Sequence, residues 1–261
     1  MPRFSANISI LFNDLPFMDR FAAARAAGFH AVECWFPGEH GTTEIAQQLD
    51  AHGLEMVGIN TSRGVGDQWG LAAVPGQEAA FGVSMDDALA QAALLGCSNI
   101  HVMAGMTHGD PAAAHRTFLL NLEHAIRRAE GTGITLLIEP LNHFDRPGYL
   151  LSSTVQAAEI IAQAGLHDLR LMFDCYHVAR EEGGVLERMR AVWPHIGHIQ
   201  IAGVPNRGAP DQGELDYAPI FQGIDELGWP GWVGAEYQAS GPAADSLDWL
   251  KRSETAQVQP S

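Results

Sequence analysis

Leu136-Leu137-Ile138-Glu139-Pro140 is an apolar run closed by a carboxylate and a proline. Leu171-Met172-Phe173-Asp174 repeats that form, and a polar group also stands near the end of His198-Ile199-Gln200-Ile201 and of Gly234-Ala235-Glu236-Tyr237. Runs this short and apolar on both faces read as strands of a parallel sheet, which helices and core cover from either side. Working outward from them, strands are expected at residues 4–12, 31–35, 55–60, 99–104, 135–140, 169–174, 198–202 and 232–237. Helical periodicity fills the gaps at 17–27, 43–52, 77–95, 111–131, 155–164 and 217–227. A weaker helical pattern over 178–192 is interrupted by Gly183-Gly184. Glycines at 28, 53, 96, 165 and 228 stand where helices should stop, and Asp14, Thr42 and Ser153 or Thr154 where they should be capped.

Eight strands with intervening helices predict an α/β fold, a single (β/α)8 TIM barrel. A doubly wound open sheet is the competitor, but its glycine fingerprint is missing. Gly64-Val65-Gly66 is followed by Trp69-Gly70 at the wrong offset, and no Walker sequence exists. The barrel is assigned to residues 1–250, with 251–261 as a polar tail expected to fray.

Composition narrows the function. The 261 residues are 46% hydrophobic and 18% charged, enough for a core and too little charge for a disordered chain. A net charge of −16 with no basic cluster argues against nucleic acid as a partner. Three distant cysteines, Cys34, Cys97 and Cys175, suit a reducing cytoplasm rather than a disulfide framework. The N-terminus lacks a signal peptide's apolar segment, and no run approaches the ~20 residues that span a bilayer. The expectation is a cytoplasmic protein with no membrane partner.

In a barrel the C-terminal strand ends meet in one bowl, so Glu139, Asp174, Gln200 and Glu236 are expected to converge there. A lone strand-end carboxylate often does no more than cap a helix. Three together repel unless a cation or shared proton neutralises them. An all-oxygen set selects a hard divalent ion, Mg²⁺ or Mn²⁺, over zinc. His177, three residues past Asp174, suits a ligand contact or a helix start about equally, and His143 sits near the rim. His101, His108 and His115 are seven apart, but Gly105, Gly109 and Pro111 break any helix there, so the spacing is read as coincidence. Arg207, in a glycine- and proline-punctuated loop, is a candidate anchor for an anion. The long segment 61–74, with Arg63, Asp67 and Trp69, is a candidate lid. Cys175 beside His177 is set aside as a nucleophile, and no G-x-S-x-G is present.

At these residues the chain resembles the hydroxypyruvate isomerase family, within the xylose-isomerase-like barrels. The resemblance is carried by Ile138-Glu139-Pro140-Leu141-Asn142-His143-Phe144-Asp145, Asp174-x-Tyr176-His177, Gly197-His198-Ile199-Gln200-Ile201-Ala202, and Arg207-Gly208 followed by Gly213-Glu214. It implies that Glu139, Asp174, Gln200 and Glu236 hold a divalent metal, Mg²⁺ or Mn²⁺, that Glu139 and Glu236 are the acid/base pair, and that His177 and Arg207 contact substrate. The loop at Gly66-Asp67-Gln68-Trp69-Gly70-Leu71 is shorter than the family pattern, and Gln77 stands where an arginine is common, which bears on substrate choice. The implied reaction is an aldose–ketose type isomerisation of a small anionic acid, hydroxypyruvate to tartronate semialdehyde. A 2-oxo-tetronate isomerase is the near alternative. A ketose 3-epimerase is disfavoured, because in that activity a histidine normally replaces Gln200. A catalytically silent acid-binding barrel and metal-dependent hydrolysis are the rivals from other classes. Homo-oligomerisation is left open.

Overall fold

A computed structural model describes residues 1–164 and 169–257. In chain order the strands are β1 Arg3–Asn7, β2 Ala31–Cys34, β3 Glu55–Asn60, β4 Asn99–His101, β5 Thr135–Ile138, β6 Leu169–Asp174, β7 Ile196–Ile201 and β8 Trp232–Ala235. The helices are α1 Asp19–Ala26, α2 Thr42–His52, α3 Glu78–Leu95, α4 Pro111–Ala129, α5 Thr154–Ala164, α6 Cys175–Glu181, α7 Val185–Val192, α8 Ala218–Glu226 and α9 Asp248–Gln257. All eight strands pair in parallel, each with its neighbour in sequence, and β1 closes the barrel on β8 from Arg3↔Trp232 to Ala6↔Ala235. The predicted (β/α)8 barrel is therefore the fold.

Side chains alternate along each strand, so Phe4, Ala6, Val32, Phe173, Ile199 and Val233 pack in the apolar core while their neighbours form a polar interior. Phe4 meets Phe221 of α8 and Trp249 of α9 edge-on at 5.2 and 5.0 Å. Such pairs add about 0.5–1.5 kcal/mol beyond burial. They dock α9 against the first strand, so this helix runs across residue 250, where the sequence pattern suggested a fraying tail.

Other differences from the sequence reading are local. The apolar segments at 4–12 and 99–104 leave the ladder early. After Asn7 the chain turns, with the Leu11 amide donating to the Asn7 carbonyl at 2.9 Å. The amides of Met103 and Ala104 donate to Thr61 Oγ1 and the Tyr149 hydroxyl at 3.0 and 2.9 Å. Asp14 does not cap α1, whose cap is Met18, and α2 is preceded by Gly41 with Thr42 as its first residue. Ser153 does accept from the Gln156 amide at the start of α5, at 3.2 Å. Gly53 and Gly96 end α2 and α3 in the left-handed conformation. Gly165 lies outside the described residues. Gly183 and Gly184, at φ 68° and 56°, split the sixth crossover into α6 and α7.

Candidate active site

The strand ends bring Glu139, Gln200 and Glu236 to one cavity, with Asp174 buried beside it, 3.6 Å from the cavity-lining His177. Pro140 has no amide to donate, so the β5 ladder stops with Glu139 at the rim. Asp174 ends β6 and caps α6, its Oδ1 accepting the Tyr176 amide at 2.8 Å. Gln200 and Glu236 arrive from β7 and from just beyond β8. Glu139, Gln200 and Glu236 line the cavity together with Trp35, Asn60, Trp69, His101, His177 and Arg207.

One wall is bonded around Glu33. The Gln200 amide donates from Nε2 to Glu33 Oε2 at 2.9 Å, and Glu33 Oε1 accepts Ser5 Oγ at 2.6 Å and faces His198 Nε2 at 3.1 Å. Burial opposes the Glu33 charge, but His198, Ser5 and Gln200 outweigh it and hold its carboxyl below the usual range. Gly234 makes the room: a Cβ there would stand 2.2 Å from Glu33 Oε1. Above this network Glu236 Oε1 accepts from Asn7 Nδ2 at 2.7 Å and from Trp35 Nε1, while Oε2 pairs with Arg207. Arg207 also lies 3.5 Å from Asp174 Oδ2. Its φ of 54° is uncommon for a residue with a side chain. The Gln238 amide, donating to the Arg207 carbonyl at 2.9 Å, helps hold it.

The opposite wall leaves polar atoms unpaired. Glu139 Oε1, Asp174 Oδ2, His177 Nε2 and Gln200 Oε1 are buried with no hydrogen-bond partner. His177 Nε2 is 3.6 Å from Asp174 Oδ2 and 3.9 Å from Glu139 Oε1. The backbone amide of Asn142 donates to His177 Nδ1 at 3.1 Å, which leaves the ring proton on Nε2, pointing into the cavity. Burial, then Arg207 and Arg146, drives His177 well below its ordinary pKa, so the ring is neutral. Burial also pushes the Glu139 carboxyl well up, reinforced by Glu236 and Asp174, and lifts Asp174 to about 7.

The xylose isomerase-like TIM barrel profile matches residues 21–253. This chain belongs to that family. A 2-oxo-tetronate isomerase of Cupriavidus necator is 44% identical over 255 residues, covering 96% of this chain and 98% of the relative. The hydroxypyruvate isomerase of Escherichia coli K12 is 36% identical over 96% of this chain and 98% of its own length. A crystal structure described as an AP endonuclease, family 2, from Brucella melitensis superposes with a TM-score of 0.93 at 36% identity, covering 97% of this chain and 99% of that one. The chain is accordingly an enzyme, an isomerase of the hydroxypyruvate isomerase-like kind.

In this xylose isomerase-like barrel the donor set suits a hard cation. Three buried carboxylates, Glu139, Asp174 and Glu236, against the Arg207 guanidinium leave a deficit of two charges when all are ionised. Glu139, Asp174 and His177 each offer a ligand atom within 4.8 Å of one another. Because His177 Nε2 bears its proton, it suits an oxygen of a bound molecule, and the free oxygens of Glu139, Asp174 and Gln200 suit the ion. Glu236, the fourth expected ligand, has both oxygens bonded to protein.

Sequence reasoning missed Glu33, Asn7, Trp35 and His101. Glu33 carried the decisive signal, a charge inside the apolar run Ala31-Val32-Glu33-Cys34, and the strand-end rule reaches it as readily as Glu139. His101, discounted with its evenly spaced partners, ends β4 and sits 3.6 Å from Glu139 Oε2, its pKa lowered by burial to about 3. His108 is exposed and His115 lies on α4. His143 is a rim residue bonded to Glu181 Oε2 at 2.6 Å. Cys175 is buried beside Asp174, and burial pushes its thiol far above the reactive range. Of the long segment after β3, Trp69 lines the cavity while Arg63 pairs with Glu39 at 2.9 Å outside it.

Proposed function

We propose that this barrel moves a carbonyl between C2 and C3 of a short 2-oxo acid through an enediol, taking hydroxypyruvate to tartronate semialdehyde. The observation that carries the reading is the pair of buried glutamates in one cavity, Glu139 and Glu236, differently partnered beside unpaired oxygen donors. A proton must leave C3 and another must reach C2. Two carboxylates facing one bound molecule can each accept or deliver one, and each acts as base in one direction of a reversible isomerisation. A divalent ion held by Glu139, Asp174 and Gln200 would polarise the carbonyl and balance charge developing on oxygen. His177, with Nε2 protonated and its ring fixed by Asn142, donates to a substrate oxygen. Arg207 aims Glu236 and opposes the upward push that burial gives its carboxyl. The small acid is proposed as the sole substrate class. Nucleic acid is not, given the charge of −16. The proposed setting is the cytoplasm, in keeping with the finding that no helix is long and apolar enough to cross a membrane among the described residues.

A 2-oxo-tetronate, one carbon longer, undergoes the same C2/C3 shift, and the 44% identity to an enzyme of that name favours it as the second reading. Proton NMR in D₂O separates the two. Each acid is incubated with the purified protein, with Mg²⁺, with Mn²⁺ or with chelator. Deuterium entering the substrate carbon together with appearance of the isomeric product is expected, faster for the true substrate and suppressed by chelator. Absence of exchange into either acid, with folded and metal-supplemented protein, would sink the isomerase reading.

A further inference from the structure

The cavity contains two arginines, and their surroundings differ. Arg207 already has carboxylate partners in Glu236 and Asp174, so a third carboxylate placed there would compete with both. Arg146, in the loop after β5, has a different setting. Its guanidinium lies over the indole of Trp69, 3.7 Å from the ring centroid, and both side chains line the cavity mouth. Nη1 donates to the backbone carbonyl of Asp145 at 2.7 Å. Among the described residues, the carboxylates of Asp145 and Asp67 act on Arg146 only through their fields, which the Arg207 charge opposes, and it forms no ion pair.

Trp69 is itself held in an unusual conformation. Its φ is 51°, a costly value for a bulky side chain, maintained by flanking bonds. The Gly70 amide donates to Arg63 O at 3.0 Å, and the Met106 amide to Gln68 O at 2.6 Å. The backbone is thus bent to present an indole face to Arg146. A guanidinium stacked on an aromatic face keeps its N–H edge open in plane, the geometry that takes a carboxylate through two parallel bonds.

We propose that Arg146, seated on Trp69, is the anchor for the carboxylate of the bound acid, while Arg207 serves Glu236. The anchor takes a short hydroxy- or oxo-carboxylate, with the carboxylate at the mouth and the reacting carbons toward Glu139 and Glu236. This rests on the substrate being a small acid, as proposed above. It differs from the family resemblance, which implies the substrate contact at Arg207.

The test uses a probe that the reaction does not consume. Glycerate, and glycerol as its counterpart without a carboxylate, are titrated calorimetrically into Mn²⁺-supplemented wild type, Arg146→Met and Arg146→Lys, all checked for an unchanged melting profile. Arg146→Met is expected to weaken glycerate at least tenfold and leave glycerol unmoved, with Arg146→Lys recovering part of the loss, since lysine restores the charge but not the fork. For the acid that is turned over, the rise in KM should exceed any fall in kcat. Glycerate affinity unchanged within twofold in Arg146→Met, or wild type holding glycerate no tighter than glycerol, overturns the assignment. Failure of the isomerase reading shows separately, as absence of exchange in D₂O, and leaves the glycerate comparison standing.

Discussion

The two walls of the cavity use the same residue types to opposite ends. On the side of β1, β2, β7 and β8, Ser5, His198 and the Nε2 of Gln200 all bond the Glu33 carboxylate. On the side of β4, β5 and β6, Glu139, Asp174 and His177 present atoms that no hydrogen bond within the protein satisfies. Buried polar groups are nearly always paired in folded proteins because an unpaired one costs about 1–3 kcal/mol. The bonded wall therefore maintains the barrel, and the open wall is shaped for something that arrives. Gln200 belongs to both: Glu33 holds its nitrogen, which fixes its oxygen toward the open side.

Replacing either proposed acid or base should cost chemistry first, whether it stands on the open wall, as Glu139 does, or among bonded partners, as Glu236 does. Glu139→Gln and Glu236→Gln should each lower kcat by roughly 10²–10⁴-fold, the usual worth of a positioned acid or base. Far-ultraviolet circular dichroism should stay native. Near-normal kcat in either variant would break the two-base scheme.

Around Glu33 the cost should fall on stability. Gly234→Ala drives a methyl into the Glu33 carboxylate, and overpacking of this kind costs about 1–3 kcal/mol. Denaturant unfolding should show a lower midpoint, and an unchanged midpoint would mean that the Glu33 pocket is slack.

pH sharpens the contrast. The folded protein raises Asp174 to about 7 from an ordinary carboxylate value, so the native state holds a proton that the unfolded chain has released. Whatever Asp174 costs the metal-free fold is absent below about pH 4 and grows as pH rises toward 7. A cation must displace that proton. Its affinity should therefore fall as pH drops below about 7, by up to tenfold per pH unit for each proton exchanged, and Glu139, whose carboxyl is also pushed well up, adds a second. Calorimetric titration with Mn²⁺ between pH 5.5 and pH 8 checks this, and a flat profile would remove Asp174 from the ligand set. Glu33, held ionised by its partners, should add nothing to that slope.

The smallest effect is expected outside both walls. His143 pairs with Glu181 on the exposed rim, and its removal in His143→Ala should cost no more than about 1 kcal/mol. Its kinetics should stay within twofold of wild type.

How far the sequence reaches also differs between the walls. Glu139, Asp174 and Glu236 stood out because each closes an apolar run, and the barrel rule brings such ends together. Gln200 is legible from its place near the end of β7 as well as from the resemblance, but its orientation is not, because that depends on Glu33, some 167 residues earlier in the chain. Strands were legible where apolarity and the ladder coincide, as in β3 and β6. They were overextended after Asn7 and His101, where buried apolar residues continue but their amides turn to other acceptors. Arg146 gave no signal at all: only the bent backbone at Trp69 makes it more than a loop arginine.

The three cysteines have a use that their inertness creates. Cys34 closes β2, Cys97 precedes β4 and Cys175 opens α6, and all are buried as free thiols. Cys34 and Cys97 are pushed up to about 12 and Cys175 is raised as well, burial being the main cause each time. Only a thiolate attacks a disulfide reagent, so labelling must wait until a segment opens to water. The rate at which each sulfur is captured is then a clock for the opening of its sector, read at three stations around the ring. A ligand that fills the open wall should slow the clock at Cys175 more than at Cys97.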